Sequence, residues 1–305
     1  MLSNLTAQPQ DKILALMGAY RADPRLDKID LGVGVYKNAS GATPIMQAVK
    51  SAEQLLWQVQ ETKSYVGLAG DPAFSAAMYD LVLDGAVSAD RLSAVATPGG
   101  TGAVRQALEL IKIASPKTTV WLSNPTWPNH PSIVKYLGMT LAEYRYFDAE
   151  NGAVDFDGML ADIKAIPAGD VVLLHGCCHN PTGANLTSEQ EDQIIAALAA
   201  SGAIPFVDIA YQGFGENLED DAFAVRLFAE SGLPFLIASS FSKSFSLYGE
   251  RVGALTMVTA NQAETAPVLS QLKRVIRTNY SNPCLLYTSD AADDLLCVDL
   301  GGRRI

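Results

Sequence analysis

The sequence predicts an α/β fold built on a mostly parallel sheet with flanking helices, and three observations predict it. Short, continuous apolar runs recur at residues 118–123 (TTVWLS), 171–175 (VVLLH), 204–210 (IPFVDIA), 235–240 (FLIASS) and 253–258 (GALTMV). Strands buried on both faces of a parallel sheet have this character. Helical patterns with start and stop signals alternate with these runs. Hydrophobic residues make up 49% of the 305 and charged residues 18%, which suits a large core and argues against wholesale disorder.

The elements follow in order. Residues 11–28 (DKILALMGAYRADPRLDK) read as a separate helical arm. Asp71 followed by Pro72 reads as an N-cap and first helical residue ahead of AFSAAMYDLVL. TPGGTGAVRQALELI, residues 97–111, is a glycine-rich turn running into an amphipathic helix. Thr187 with Gln190 forms a capping-box pattern before IIAALAA, and Gly202 suits the stop. There is no internal repeat and no low-complexity linker.

Composition excludes several functions. A net charge of −11 argues against nucleic acid as the main partner, because a phosphate backbone needs a basic footprint. No run approaches the ~18 apolar residues of a membrane span. The first residues lack a signal pattern, so a cytoplasmic protein is expected. Four cysteines, two of them the adjacent Cys177 and Cys178, make no secreted disulfide framework.

The chemistry lies at the strand ends. Gly99, Gly100 and Gly102 permit close approach to free N–H groups at a helix N-terminus, a phosphate site. No Walker lysine follows, and Arg105 stands where a dinucleotide fingerprint needs its third glycine. Alone, such a turn is a tight start to a helix. In HGCCHNPTG, residues 175–183, His175, Cys177, Cys178 and His179 suggest zinc. Adjacent cysteines on an extended chain point to opposite faces, however, so no metal is expected. Asn180 can present its amide at the sheet edge where open α/β folds bind ligands. Asp208 sits in an apolar run, where a carboxylate needs a cation, and Tyr211 follows three residues on. By itself Asp208 reads as a structural turn cap.

Lys243 brings these pieces together. It follows the 235–240 run, inside serines and phenylalanines, with Arg251 eight residues on. Pyridoxal phosphate (PLP) chemistry uses the whole set. A lysine amine forms a Schiff base with the aldehyde, and an aspartate keeps the pyridine nitrogen protonated. Asn180 and Tyr211 would hydrogen-bond the ring's phenolic oxygen. Ser240, Arg251, Gly100 and Thr101 would hold the phosphate.

At this point the chain resembles the class I aminotransferases of the aspartate and aromatic-amino-acid group, fold type I. LGVGVYK, SYVGLAGDP, GGTGA, NPTWPNH, HNPTG, DIAYQGFG, SFSKSFSLYGERVG and RTNYSNP occur in family order between residues 31 and 283. The resemblance implies a transaminase moving an amino group between glutamate or aspartate and an aromatic or dicarboxylic 2-oxo acid. It makes Lys243 the Schiff-base lysine and proton shuttle, with Trp127 against the ring face and His130 supporting Asp208. Gly34 would contact the substrate carboxylate. Tyr65 would reach a phosphate in the neighbouring subunit of a homodimer, and Arg277 would cross that interface to a distal carboxylate. Arg277 also argues against a lyase or decarboxylase. Pro125 and Pro181 resemble the family's cis-prolines.

The same reading divides the chain into an arm and small-domain segment (residues 1–34), a large PLP domain (35–283) and a tail (284–305). The tail, CLLYTSDAADDLLCVDLGGRRI, departs from the family pattern, and its start resembles translated sequencing-adapter sequence. An incomplete small domain is therefore expected, without the arginine that binds the substrate's α-carboxylate. The alternative expectation is a truncated, inactive aminotransferase fragment.

Overall fold

The computed structural model describes residues 2–7, 12–30 and 34–284; the tail beyond Cys284 lies outside them. The chain forms two compact units, Met1–Pro44 and Ile45–Ile305. The first carries α1 (Lys12–Ala22) and a turn closed by Asn38 N–H donating to Ala42 O at 2.9 Å. Lys37 pairs with Asp30 at 2.6 Å within this unit.

The second unit runs α2 (Gln47–Val59), α3 (Pro72–Leu83), β1 (Leu92–Pro98), α4 (Gly99–Ala114), β2 (Thr119–Asn124), α5 (Asn129–Tyr136) and β3 (Thr140–Arg145). A small ribbon of β4 (Phe147–Asp148) and β5 (Ala153–Val154) leads to α6 (Phe156–Ala165), β6 (Val171–His175), α7 (Ser188–Ser201) and β7 (Ile204–Ile209). α8 (Phe223–Glu230), β8 (Phe235–Ser240), α9 (Phe241–Ser244), β9 (Val252–Val258) and α10 (Gln262–Asn279) complete it. Seven strands form one sheet in the order β1-β9-β8-β7-β6-β2-β3.

Burial on both faces explains the apolar runs. On β6, Val171 and Leu173 face the core under α4, α5 and α10, whereas Val172 and Leu174 face the core under α3, α6, α7 and α8. A period-2 backbone sends successive side chains into opposite layers. The end signals act as expected. Asp71 accepts from Ala73 N–H at 2.9 Å with Pro72 in the first turn, Thr187 and Gln190 close a reciprocal capping box, and Gly202 stops α7 at φ 73°.

Two features depart from the sequence reading. β1 and β3 belong to the sheet although their runs were not among the predicted strands. In addition, β9 runs antiparallel to both neighbours. Residues 241–251, which join β8 to β9, are fewer than the dozen or so a parallel crossover needs. The reversal has a chemical consequence: it brings the start of β9 to the edge where the parallel strands end. Val252 stands opposite Pro98 and Gly253 opposite Ser240.

Candidate active site

The carboxyl edge of the sheet gathers most of the predicted residues. Lys243 lies on α9, immediately after β8. Its Nζ is 4.9 Å from the centre of the Tyr211 ring, and among the described residues it has no ion-pair partner. Its pKa lies below the ordinary value of 10.5: burial disfavours the cation and nearby Arg251 repels it, while Asp208 acts the other way.

Asp208 is held at the end of β7, 9% exposed, and its Oδ2 is 2.8 Å from His130 Nε2. The surrounding hydrogen bonds settle which atom carries each proton. Asn180 N–H donates to His175 Nδ1 at 3.3 Å, so a neutral His175 carries its hydrogen on Nε2. Burial, followed by repulsion from His179 and His130, holds His175 well below the usual histidine value and therefore neutral. His175 Nε2–H then donates to Thr126 Oγ1 at 3.2 Å, and the Thr126 hydroxyl donates to His130 Nδ1 at 2.9 Å. His130 Nε2–H is left to donate to the carboxylate. The direction is deduced from the network, since only backbone N–H groups have a fixed role.

Asn180 follows the turn after β6, joined to Pro181 by a cis bond, as Asn124 is to Pro125. Its Nδ2 lies 3.4 Å from the Tyr211 hydroxyl. That contact is long, so both polar ends can turn to a third oxygen. Burial, then Asp208, raises the Tyr211 pKa and keeps the phenol protonated. Trp127 meets His130 edge-on, ring centres 5.0 Å apart.

The glycine turn completes the edge. α4 starts at Gly99 behind Pro98, which offers no side-chain cap, so its first N–H groups are open to an anion. A Cβ on Gly99 would lie 2.3 Å from Arg251 Nη2, and one on Gly253 would lie 2.5 Å from the Gly99 carbonyl carbon. Glycine at both positions lets the start of β9 press against the start of α4 and seats the guanidinium beside the helix N-terminus. A Cβ on Gly100 would lie 2.9 Å from Ser240 Cβ, so Ser240 and the first turn of α4, including Thr101, share this corner. Arg251 Nη1 donates to Ser242 Oγ at 3.0 Å and to Tyr248 O at 3.3 Å. Among the described residues no carboxylate pairs with it.

The sequence reading overlooked Thr126 and Ser242, and considered His175 only as a zinc ligand. The one available signal for Thr126 is its place in NPTWPNH beside His130. Three predicted residues do not join this edge within the second unit's own contacts. Tyr65 is 95% exposed. Arg277 lies exposed in the last turn of α10, donating to Ser281 Oγ at 3.1 Å. Gly34 belongs to the first unit. The assumed extended geometry of the cysteine pair also fails, because Cys178 adopts φ 48°.

These groups define a lysine-centred α/β enzyme with an anion cradle at the carboxyl edge of its sheet. The chain matches the family described as Aminotransferase class I and II over residues 26–296. It is 52% identical to an aromatic-amino-acid aminotransferase of Paracoccus denitrificans, covering 93% of this chain and 72% of the relative. It is 46% identical to an aspartate aminotransferase of Pseudomonas aeruginosa, with the same coverage. A solved aromatic amino acid aminotransferase with 3-indolebutyric acid superposes with a TM-score of 0.95 at 50% identity, over 98% of this chain and 76% of the other. Another, from Burkholderia pseudomallei and covalently bound to pyridoxal phosphate, gives 0.94 at 44% identity, over 97% and 75%. The chain belongs to the class I and II aminotransferase family, and its reaction is transamination.

Proposed function

We propose that the protein uses PLP to transfer amino groups from glutamate or aspartate to aromatic or dicarboxylic 2-oxo acids. The residues present fit that cofactor. The uncapped start of α4, Ser240 and Arg251, which has no carboxylate partner among the described residues, suit a phosphate. Asp208, with one oxygen satisfied by His130, has another to offer a ring nitrogen, and Asn180 with Tyr211 can share a ring oxygen. When bound, PLP supplies an aldehyde that captures the substrate amine and a ring that accepts electrons from its α-carbon.

The chain's own groups do the rest. Lys243 takes and returns the α-proton through Nζ, a role its lowered pKa supports because more of the amine is free near neutrality. Asp208 holds the ring nitrogen's proton, oriented by His130. Trp127 supports the ring face. Gly34 would contact the substrate carboxylate, with Arg277 and Tyr65 reaching across a homodimer to the distal carboxylate and the phosphate. We assign the cytoplasm as location; no helix among the described residues is long and apolar enough to cross a membrane.

The observation that carries this reading is Lys243: a partly buried amine beside Tyr211, with a lowered pKa and no ion-pair partner among the described residues. The relatives support transamination over the inactive-fragment alternative. The test is the absorption spectrum of the 305-residue protein with PLP, before and after L-glutamate. A glutamate-dependent change that disappears in Lys243→Ala supports the reading; a cofactor spectrum identical in both proteins overturns it.

A further inference from the structure

Cys177, Cys178 and Asp221 take no part in the site described above, yet their sulfur and carboxylate oxygen atoms all lie within 4.8 Å of one another. Cys178 makes this possible. Its left-handed φ of 48° breaks the alternation that would send adjacent side chains to opposite faces. The two sulfurs therefore converge on the same side as the Asp221 carboxylate.

Asp221 is fixed in place. Its Oδ2 accepts from the backbone N–H groups of Gly213 and Gly215, both at 2.8 Å, and its Oδ1 from that of Glu216 at 3.0 Å. A carboxylate has roughly four acceptor positions, so one remains on Oδ1. Hydrogen bonds of this kind orient metal-ligating carboxylates. Cys177 and Asp221 also line a cavity of about 420 Å³ bordered by α6, α7 and α8, whose wall also carries the Glu216 carboxylate.

We propose that Cys177, Cys178 and Asp221 form a binding site for a thiophilic divalent cation such as zinc. The ligands are two thiolates and one carboxylate oxygen, with a water from the cavity in the fourth position. Two sulfurs and light-atom donors suit zinc's tetrahedral preference, and binding releases both thiol protons to solvent. Such an ion ties the turn carrying Asn180 to the loop after β7 that holds Asp221. It would clamp, from behind, two loops that shape the active site.

The test begins with the reduced full-length protein loaded with zinc, dialysed, and measured by zinc K-edge X-ray absorption. Two sulfur scatterers at about 2.3 Å and the remainder light atoms at about 2.0–2.2 Å support the site. Zinc held by light atoms or a single sulfur, or no retained zinc, overturns it. Because this measurement uses the wild-type chain, it does not depend on any variant folding. Cys177→Ser and Cys178→Ser should each lose the retained zinc, while Cys284→Ser, at an exposed thiol, should keep it. Retention by either of the first two variants at the wild-type level also overturns the proposal.

Discussion

Thr126→Val tests the hydrogen-bond order that fixes His130. Valine keeps the shape and removes the hydroxyl that accepts from His175 Nε2–H and donates to His130 Nδ1. His130 is fully buried, so its orphaned Nδ1 bears a desolvation cost of about 1–3 kcal/mol. His175 is only partly buried, and water can replace part of its lost bond, leaving a loss of about 0.5–1.5 kcal/mol. The expected destabilisation of the cofactor-free protein is therefore about 1.5–4.5 kcal/mol. It should appear in urea unfolding as a lower midpoint at unchanged slope. Thr126→Ser keeps the hydroxyl and should stay within about 1 kcal/mol of wild type, a loss set by one methyl group. Equal midpoints for the valine and serine variants would refute the assigned proton order.

Two further predictions use the titrating groups. Lys243 has a lowered pKa when folded, so between that value and 10.5 the unfolded chain binds more protons and stability rises with pH. Lys243→Met should therefore stabilise the cofactor-free protein most below the folded pKa, with the gain shrinking as pH approaches 10.5; urea midpoints across that range check it, and a pH-independent difference would count against a buried cation. Burial, followed by the charge of Asp192, raises Glu191 to about 8 from 4.5, so the folded chain binds more protons and stability falls as pH rises through that window. Glu191→Gln should have little effect near pH 4 and an increasing stabilising effect up to pH 8, read by the same titration; a gain confined to acid pH would be the wrong sign.

The legible parts of the molecule were those that local chemistry dictates. The runs forming β6, β7 and β8 stand out because both faces are buried, and the caps at Asp71 and Thr187 need only their own turns. β3 (TLAEYR) was hidden because it is an edge strand, with exposed Thr140, Glu143 and Arg145. β1 was hidden because serine, threonine and alanine dilute its apolar pattern. At the site, Lys243, Asp208 and Asn180 announce themselves at strand ends. The relay through Thr126 and His175 joins four segments, and no spacing rule reports such a meeting. Nor does sequence reveal a left-handed cysteine, since non-glycine residues seldom adopt that conformation.

The antiparallel setting of β9 links fold to chemistry. Were β9 parallel, Val252 would lie at the opposite edge and Arg251 would be a strand's length from Gly99 and Lys243. The reversal instead sets Arg251 beside the start of α4, where its charge and the partial positive charge of the helix end reinforce one another. Lys243 then feels both the Arg251 cation and the Asp208 carboxylate, the latter already engaged by His130. The edge thus carries an excess of positive charge in a chain whose net charge is −11. Burial is what chiefly lowers the Lys243 pKa; Asp208 opposes it and repulsion from Arg251 adds to it, a repulsion that an anion seated between Arg251 and α4 would relieve. Anion binding and the protonation of the Lys243 amine are therefore coupled through one arginine, which the direction of one strand puts in place.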